Sequence, residues 1–362
     1  QQASHCNVEV ASARYWKPRC CQRKGSVGAR RGRWSYSSEK EASQVMASFS
    51  TGIPVVDLAE ARDAGLEALG DEPINDQVKK VADLWGEAMR CAGFAIIVNH
   101  GLDAEVIRNA FGESRKFFME SSQEEKQRHS FGPYGGPKGG FTGQGTESVA
   151  RTFEADDAPP DMVESYVFNS GAMQNPSDHP APLFTTAKGY IEKGTHLMHM
   201  LHRLSAIALG VTPTYFDPYY EEGGGVVLRM AYYPAVDPNK VLPGQQRYGA
   251  HLDYLGFTLL AVESAGDTGL EVFLEGAWKR VHCPEGGIIV NVGELTSYWT
   301  NNKWPATLHR VVNVNPEKPR FSLPLFTGPR KDAVVLPIGE TDPSKGIVAG
   351  DHLKARLTKS NT

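Results

Sequence analysis

Apolar residues in the first half of the chain recur at three- and four-residue steps, the period of one face of an α-helix. This period predicts three helices, at residues 76–92, 103–119 and 181–209. Gly93 is placed to end the first of them. Two short apolar runs, 53–58 and 94–98, lack the helical period and predict strands. The first half is therefore expected to be mixed and mostly helical.

From about residue 226 onward, short β-branched and aromatic runs alternate with turn residues, as in antiparallel sheets. These runs are residues 226–233, 257–262, 270–274, 278–282, 288–292, 308–314 and 321–326. Their number and spacing favour a jelly roll, also called a double-stranded β-helix. We therefore predict an α+β fold that is mainly β with helices, in which an N-terminal helical region surrounds a jelly-roll core.

The pattern divides the chain into four parts. Residues 51–215 form the helical and mixed region, residues 216–335 the jelly-roll core, and residues 336–362 a C-terminal segment. Residues 1–50 are a leader rich in Arg, Lys and Ser with few acidic residues, which resembles an organelle transit peptide. Alternatively, Met46 is the true start and the preceding residues are disordered or an artefact of sequence assembly.

A glycine- and proline-rich stretch at 132–145 favours turns and predicts a loop without regular structure. It lacks the G-K-[ST] sequence of a phosphate-binding loop. A mobile flap over a pocket and an ordinary surface loop both remain open. If it is a flap, Tyr134, Phe141 and the acidic stretch 154–157 are candidates for substrate contact.

Charge and cysteine content exclude several classes of protein. A formal net charge of -4 gives no electrostatic reason to expect nucleic acid as a partner. The five cysteines show no disulfide-like or C-x-x-C spacing, which favours a reducing compartment. No apolar run reaches the roughly 18 residues of a membrane span. We expect a cytoplasmic monomer with a small-molecule substrate and no membrane partner; a plastid or mitochondrion is the alternative if the leader is a transit peptide.

His251 and Asp253 occupy positions i and i+2 just before a predicted strand, where extended chain directs both side chains to one face. Alone, a His-x-Asp pair is weak support for a metal site. A third ligand is available in His309, which lies in another predicted strand. Two histidines and one carboxylate leave three positions of an octahedral iron(II) open, the arrangement typical of oxygen activation. A structural zinc site would instead use four ligands, usually with thiolates.

Arg320 and Ser322 repeat the i, i+2 spacing eleven residues after His309. A guanidinium and a hydroxyl on one strand face can bind a carboxylate by charge-assisted hydrogen bonds. The distal carboxylate of 2-oxoglutarate is the predicted anion.

The order His251-x-Asp253, His309, Arg320-x-Ser322 resembles the signature of the iron(II)/2-oxoglutarate-dependent dioxygenases, in the branch similar to isopenicillin N synthase and plant flavonoid and gibberellin oxidases. The resemblance covers about residues 52–330 and includes further blocks in family order. These are FAIIVNHGL (94–102), YYP (232–234), GLEV (269–272), GGIIVNVGELTSYWTNNKWPATLHRVV (286–312) and RFSLPLF (320–326).

This resemblance implies an enzyme that uses Fe(II), 2-oxoglutarate and O2; whether ascorbate is a further cofactor is left open. It would oxidise a small organic metabolite by hydroxylation, desaturation or oxidative ring closure and release succinate and CO2. Tyr233 would add a hydroxyl contact to 2-oxoglutarate. Family members often have Asn two residues before this tyrosine, where the chain has Ala231. An oxidase of the same fold without 2-oxoglutarate and a non-catalytic jelly-roll binding protein remain the alternatives.

Three histidines in the third predicted helix, His196, His199 and His202, have three-residue spacing. Such spacing drifts around a helix, and no carboxylate or cysteine accompanies them. Ordinary helical histidines are therefore favoured over a second metal site.

Overall fold

The structure is a computed structural model that describes residues 52–68, 70, 73–152, 157–170, 176–221, 224–263 and 265–360. The predicted leader lies outside the described residues, as do residues 154–156 of the acidic stretch.

The described chain contains eight α-helices, which we number in chain order. They are α1 Ala59–Asp63, α2 Asp76–Ala92, α3 Ala104–Glu120, α4 Gln123–Arg128, α5 Ala181–Leu209, α6 Asp217–Tyr220, α7 Glu294–Trp299 and α8 Ala349–Ser360. The three helices predicted from the apolar period are confirmed as α2, α3 and α5. Their ends differ from the prediction by one residue at most.

Fourteen strands occur in the same ranges. They are β1 Val55–Asp57, β2 Phe94–Val98, β3 Gly140–Thr142, β4 Glu164–Asn169, β5 Val227–Tyr233, β6 Tyr248–His251, β7 Phe257–Val262, β8 Gly266–Leu274, β9 Ala277–Cys283, β10 Ile288–Val292, β11 His309–Val311, β12 Arg320–Phe326, β13 Val334–Val335 and β14 Ile347–Val348. All seven strands predicted after residue 226 are present.

Two facing sheets form the predicted jelly roll. The large sheet has the order β1-β2-β10-β7-β12-β5-β4-β3, and the small one has the order β6-β11-β8-β9. From β5 to β12 the chain passes back and forth between the two sheets, apart from the hairpin β8–β9 in the small sheet, and pairs antiparallel as in a double-stranded β-helix. The N-terminal region adds β1 and β2 at one edge of the large sheet and β3 and β4 at the other. The predicted boundary at residue 216 therefore lies between β4 and β5, which are neighbours in one sheet.

The N-terminal helices pack against the large sheet and form its main core. Trp85 of α2 is fully buried and donates from its indole N–H to the Ser205 hydroxyl of α5 at 2.9 Å. The Asn75 side chain caps α2 by accepting from the Val78 amide, and Gly93 ends the helix at φ 63°. A Cβ at Gly93 would meet the Pro305 carbonyl oxygen at 2.1 Å. Only glycine fits this turn, from which the chain enters β2.

Three local predictions needed correction. The stretch 132–145 is not devoid of regular structure, because it contains a 3-10 helix at Pro133–Lys138 and strand β3. Strand β6 was not predicted, so His251 ends a strand and also precedes the predicted strand, which is β7. The third correction concerns Phe141, a candidate for substrate contact, which is fully buried and packs against Phe117 with ring centroids 6.1 Å apart.

The histidines of α5 are ordinary helical residues, as favoured from the sequence: His196 is exposed, His199 is half-buried and His202 is buried. His202 is buried between Tyr220, Phe216 and Phe257, with ring centroids 4.0 to 5.8 Å away. The groups of His, Cys, Asp and Glu residues able to hold a metal in the described ranges do not include it. Burial lowers the pKa of His202 to about 3. Its imidazole is therefore neutral in the folded protein.

The burial of neutral His202 predicts that the folded protein loses stability in acid. Because the unfolded chain takes up a proton near pH 6.5 and the folded chain does not, His202 lowers the free energy of unfolding as the pH falls. The loss should reach about 2 kcal/mol at pH 5. Urea unfolding of His202→Phe and the parent protein at pH 7 and pH 5 measures it. An equal loss of stability in both proteins would assign the sensitivity to other groups.

In the described ranges we found no helix with both the length and the apolar character needed to cross a bilayer.

Candidate active site and metal centre

His251 and His309 lie directly opposite each other on neighbouring strands of the small sheet. They are register partners of β6 and β11, and their ring centroids are 4.2 Å apart. The Nδ1 of His251 is 2.8 Å from the Gly249 carbonyl oxygen, and that of His309 is 2.9 Å from the Thr307 carbonyl oxygen. A carbonyl only accepts, so each Nδ1 carries the proton and donates it. Each Nε2 therefore presents a lone pair.

Asp253 completes the group from the turn that follows β6. Its Oδ1 is 3.6 Å from Nε2 of His251 and 3.8 Å from Nε2 of His309. Its other oxygen accepts from the Asn291 amide at 2.6 Å and from the Thr258 hydroxyl. Because Thr258 and Asn291 belong to the large sheet, the carboxylate bridges both sheets. One of its oxygens is held in place and the other faces the two imidazoles.

The protonation states of Asp253 and His309 favour binding of a cation. Burial alone would raise the pKa of Asp253, but the positive charge that His309 carries when it is protonated in acid and the hydrogen bond from Asn291 hold that pKa well below its ordinary value. Burial lowers the pKa of His309 to about 4, with a further contribution from His251. At neutral pH the cluster therefore combines a carboxylate with neutral imidazole nitrogen. One nitrogen or oxygen from each of the three residues lies within 4.8 Å of the others.

A cavity links this cluster to the predicted anion site on β12. It is lined by His251, Asp253 and His309 together with Tyr233, Arg320 and Ser322. Arg320 donates from Nε to the Thr268 carbonyl at 2.8 Å and from one terminal nitrogen to the Ser322 hydroxyl at 3.2 Å. Its other terminal nitrogen is buried and has no partner in the ranges that the structure describes. The guanidinium therefore has donors left for an anion.

Strand β5 supplies the neighbouring wall. Tyr233 is the register partner of Arg320, and the Arg320 guanidinium carbon lies 4.7 Å from the centre of its ring. Ala231 is the partner of Ser322 and is 1% exposed. The cavity wall is thus apolar at the position where an asparagine was expected from the family resemblance.

A second polar group on the cavity wall was not anticipated. Arg229, also on β5, donates to the Tyr248 hydroxyl at 2.6 Å and to the Glu147 carboxylate at 2.8 Å. Arg229 and Tyr248 line the cavity, and the Tyr248 ring packs edge-on against the His251 ring at 4.9 Å. Tyr134 of the glycine-rich stretch lies near them, since its ring centre is 6.0 Å from the Arg229 guanidinium carbon.

The six residues proposed from the sequence therefore line one cavity. Sequence reasoning missed Thr258, Asn291, Arg229, Tyr248 and Glu147. Asn291 could have been identified from the sequence, because it is a polar residue inside the apolar run of β10, where an unpaired amide would be costly. Leu260 of β7 and Leu270 of β8 also line the cavity.

Comparison with known families agrees with this geometry. Residues 225–329 match the family described as the 2OG-Fe(II) oxygenase superfamily. Residues 53–187 match the N-terminal domain described as non-haem dioxygenase in morphine synthesis. The chain belongs to the 2OG-Fe(II) oxygenase superfamily. The predicted jelly roll and the predicted iron(II)- and 2-oxoglutarate-dependent oxidoreductase are confirmed by this membership.

Several superfamily members are similar over most of the chain. Gibberellin 20 oxidase 1 of Arabidopsis thaliana is 29% identical over 263 residues, covering 70% of this chain and 66% of the relative. A full-length Neurospora crassa protein, crystallised in complex with alpha-KG, has a TM-score of 0.70 and 26% identity, with 84% of this chain and 96% of the other covered. Its complex with alpha-KG and thymine has a TM-score of 0.68, with the same identity and coverage.

Proposed function

We propose that His251, Asp253 and His309 bind the iron(II) of this oxygenase and that Arg320, Ser322 and Tyr233 bind 2-oxoglutarate. The observation behind this assignment is that two imidazole nitrogens and a carboxylate oxygen within 4.8 Å of one another share a cavity with an arginine that has unused donors. The enzyme oxidises a small organic molecule, with release of succinate and CO2.

The donor set fits iron(II) better than a structural zinc ion. Two neutral imidazoles and one carboxylate form the facial triad typical of non-haem iron, which leaves positions open for other ligands. The group contains no cysteine, whereas closed zinc sites usually use thiolates. The fixed tautomers of His251 and His309 support metal binding through Nε2, because their Nδ1–H groups are already engaged.

The Arg320 end of the cavity fits the distal carboxylate of 2-oxoglutarate. The Arg320 contacts that the structure gives are a carbonyl, a hydroxyl and an aromatic ring, none of which neutralises its charge. A carboxylate would supply the missing counter-charge and accept from both Arg320 and Ser322. The stacked Tyr233 ring holds the guanidinium in place on the other side.

When bound, iron(II) supplies the oxygen activation and the redox chemistry that protein side chains cannot provide. The residues of this chain hold and orient the reactants. Thr258 and Asn291 fix the Asp253 carboxylate, while Gly249 and Thr307 fix the two imidazole rings. Leu260, Leu270, Val311 and Phe326 line the cavity with apolar surface and reduce access of water to the reacting groups.

Relatives support a small-molecule substrate. The Neurospora crassa protein was crystallised with thymine and with 5-formyluracil, and other relatives are gibberellin 20 oxidases. Hydroxylation, desaturation and ring closure are all compatible with the cavity, since the outcome depends on which substrate carbon lies nearest the iron.

The function is tested with purified protein, iron(II) and 2-oxoglutarate that is labelled at C1, the carboxyl carbon released as CO2. We expect labelled CO2 and succinate to form in equal amounts with oxygen uptake, slowly without substrate and faster with it. A His309→Ala variant should form neither product. Iron-dependent oxygen uptake that leaves 2-oxoglutarate unchanged would contradict the proposal.

We further propose a monomer that acts without nucleic acid in a reducing compartment such as the cytoplasm. The net charge of -4 supports the absence of a polyanionic partner. The five cysteines show no disulfide-like spacing, which supports the reducing compartment.

A further inference from the structure

The group formed by Glu147, Arg229 and Tyr248, which we call the Arg229 cluster, has no task in binding iron or 2-oxoglutarate. It nevertheless contributes to the same cavity through Arg229 and Tyr248. Tyr248 contacts the ring of the proposed ligand His251. The cluster therefore lies where a substrate beside the metal would be held.

The charge of Arg229 is already balanced. Glu147 and Arg229 are 2% and 5% exposed, and their carboxylate and guanidinium are 2.8 Å apart. Two buried opposite charges at this distance form a pair that is costly to separate, because either partner alone would be an uncompensated buried charge. Arg229 thus differs from Arg320, whose described contacts carry no negative charge.

Arg229 keeps hydrogen-bonding capacity despite this pairing. Its Nε is buried and has no partner in the described part of the chain. A buried donor without a partner is costly, so a ligand that offers an acceptor would be favoured there. A carbonyl oxygen satisfies this need without adding charge.

Once iron(II) and 2-oxoglutarate are bound, the charges in and beside the cavity sum to zero without any charge from the substrate. In the described ranges, the charged side chains that line it are Arg229, Asp253 and Arg320. With iron(II) and 2-oxoglutarate bound, Asp253 and one carboxylate of 2-oxoglutarate balance the metal, and the other carboxylate balances Arg320. Glu147 balances Arg229. An anionic substrate would therefore leave one negative charge uncompensated in a buried site.

We propose that the substrate of this enzyme is an uncharged molecule that directs a carbonyl or similar acceptor group at Arg229, and that Glu147 excludes carboxylate substrates. This inference rests on the proposed function, since it assigns a role within the same cavity.

The first test measures binding to the full chain loaded with Mn(II) and 2-oxoglutarate, which form a complex that does not turn over. The probes are matched pairs titrated by calorimetry: indole-3-acetamide and indole-3-acetate, cinnamamide and cinnamate, and uracil-5-carboxamide and uracil-5-carboxylate. We expect the neutral member to bind about tenfold more tightly or better, a typical effect of one unpaired charge. Equal or tighter binding of the carboxylates, or no binding by any neutral member, would overturn the inference.

The second test uses Glu147→Gln, which keeps the shape of the side chain but leaves Arg229 with an unbalanced charge. The ratio of the Kd of the carboxylate to the Kd of its amide should fall by about tenfold or more. Adding Arg229→Gln should remove that shift, because no unbalanced charge then remains. Glu164→Gln is the matched control, since Glu164 is also a buried acid, paired with Lys126 at 2.8 Å outside the cavity lining. It should leave the preference unchanged.

The two proposals fail differently. If the parent protein releases CO2 from 2-oxoglutarate but Glu147→Gln does not change the acid-to-amide preference, only the role of the Arg229 cluster is wrong. If Mn(II) and 2-oxoglutarate do not bind the parent protein, the proposed function itself is wrong.

Discussion

Asp253→Ala is expected to abolish iron retention and substrate-dependent succinate formation. The change removes one of the three proposed ligands and the only negative charge that the described residues offer to the metal within the cluster. Loss of an outer-shell partner costs about 10–100-fold in metal affinity or activity, and loss of a ligand should cost more. Iron content after gel filtration and the rate of succinate formation measure the two effects separately.

The controls separate metal binding from folding. Asp253→Ala also leaves the Thr258 hydroxyl and the Asn291 amide without their acceptor, so some loss of stability is expected. Asp253→Asn keeps an acceptor for both and should fold well while still losing iron. Asp332→Ala removes an exposed carboxylate and should change neither iron content nor rate. Stoichiometric iron in both Asp253 variants would show that this carboxylate is not a ligand.

That the proposed iron and 2-oxoglutarate residues share one cavity could be predicted in part because strand alternation is a local rule. Arg320 and Ser322 are two residues apart on β12 and point to one side. His251 ends β6, and the turn that follows brings Asp253 beside it. The helices were predictable for a similar reason, since the apolar period of α2 directly reflects the face that it buries against α5 and the large sheet.

The parts that were missed depend on partners far away in the chain. Strand β6 has the sequence YGAH, with little intrinsic strand propensity, and it is formed by pairing with β11. Strand β3 begins at Gly140, whose φ of 123° suits glycine, and it is ordered by pairing with β4. Glu147 contacts Arg229 across 82 residues of sequence. No local sequence pattern predicts such a pair, so the part of the cavity formed by Arg229 and Tyr248 was identified only from the structure.

Arg320→Lys is expected to raise the KM for 2-oxoglutarate by about 10- to 100-fold with little change in kcat at saturating 2-oxoglutarate. Lysine keeps the positive charge but loses the planar fork that donates to Thr268 and Ser322 and stacks on Tyr233. Hydrogen bonds to a charged group contribute about 1.5–3 kcal/mol, which corresponds to this range. Arg310→Lys is the matched control, because Arg310 pairs with Glu271 and stacks on Trp278 outside this cavity. A fall in kcat with an unchanged KM would assign Arg320 to holding the sheet together and leave the carboxylate anchor to be found elsewhere.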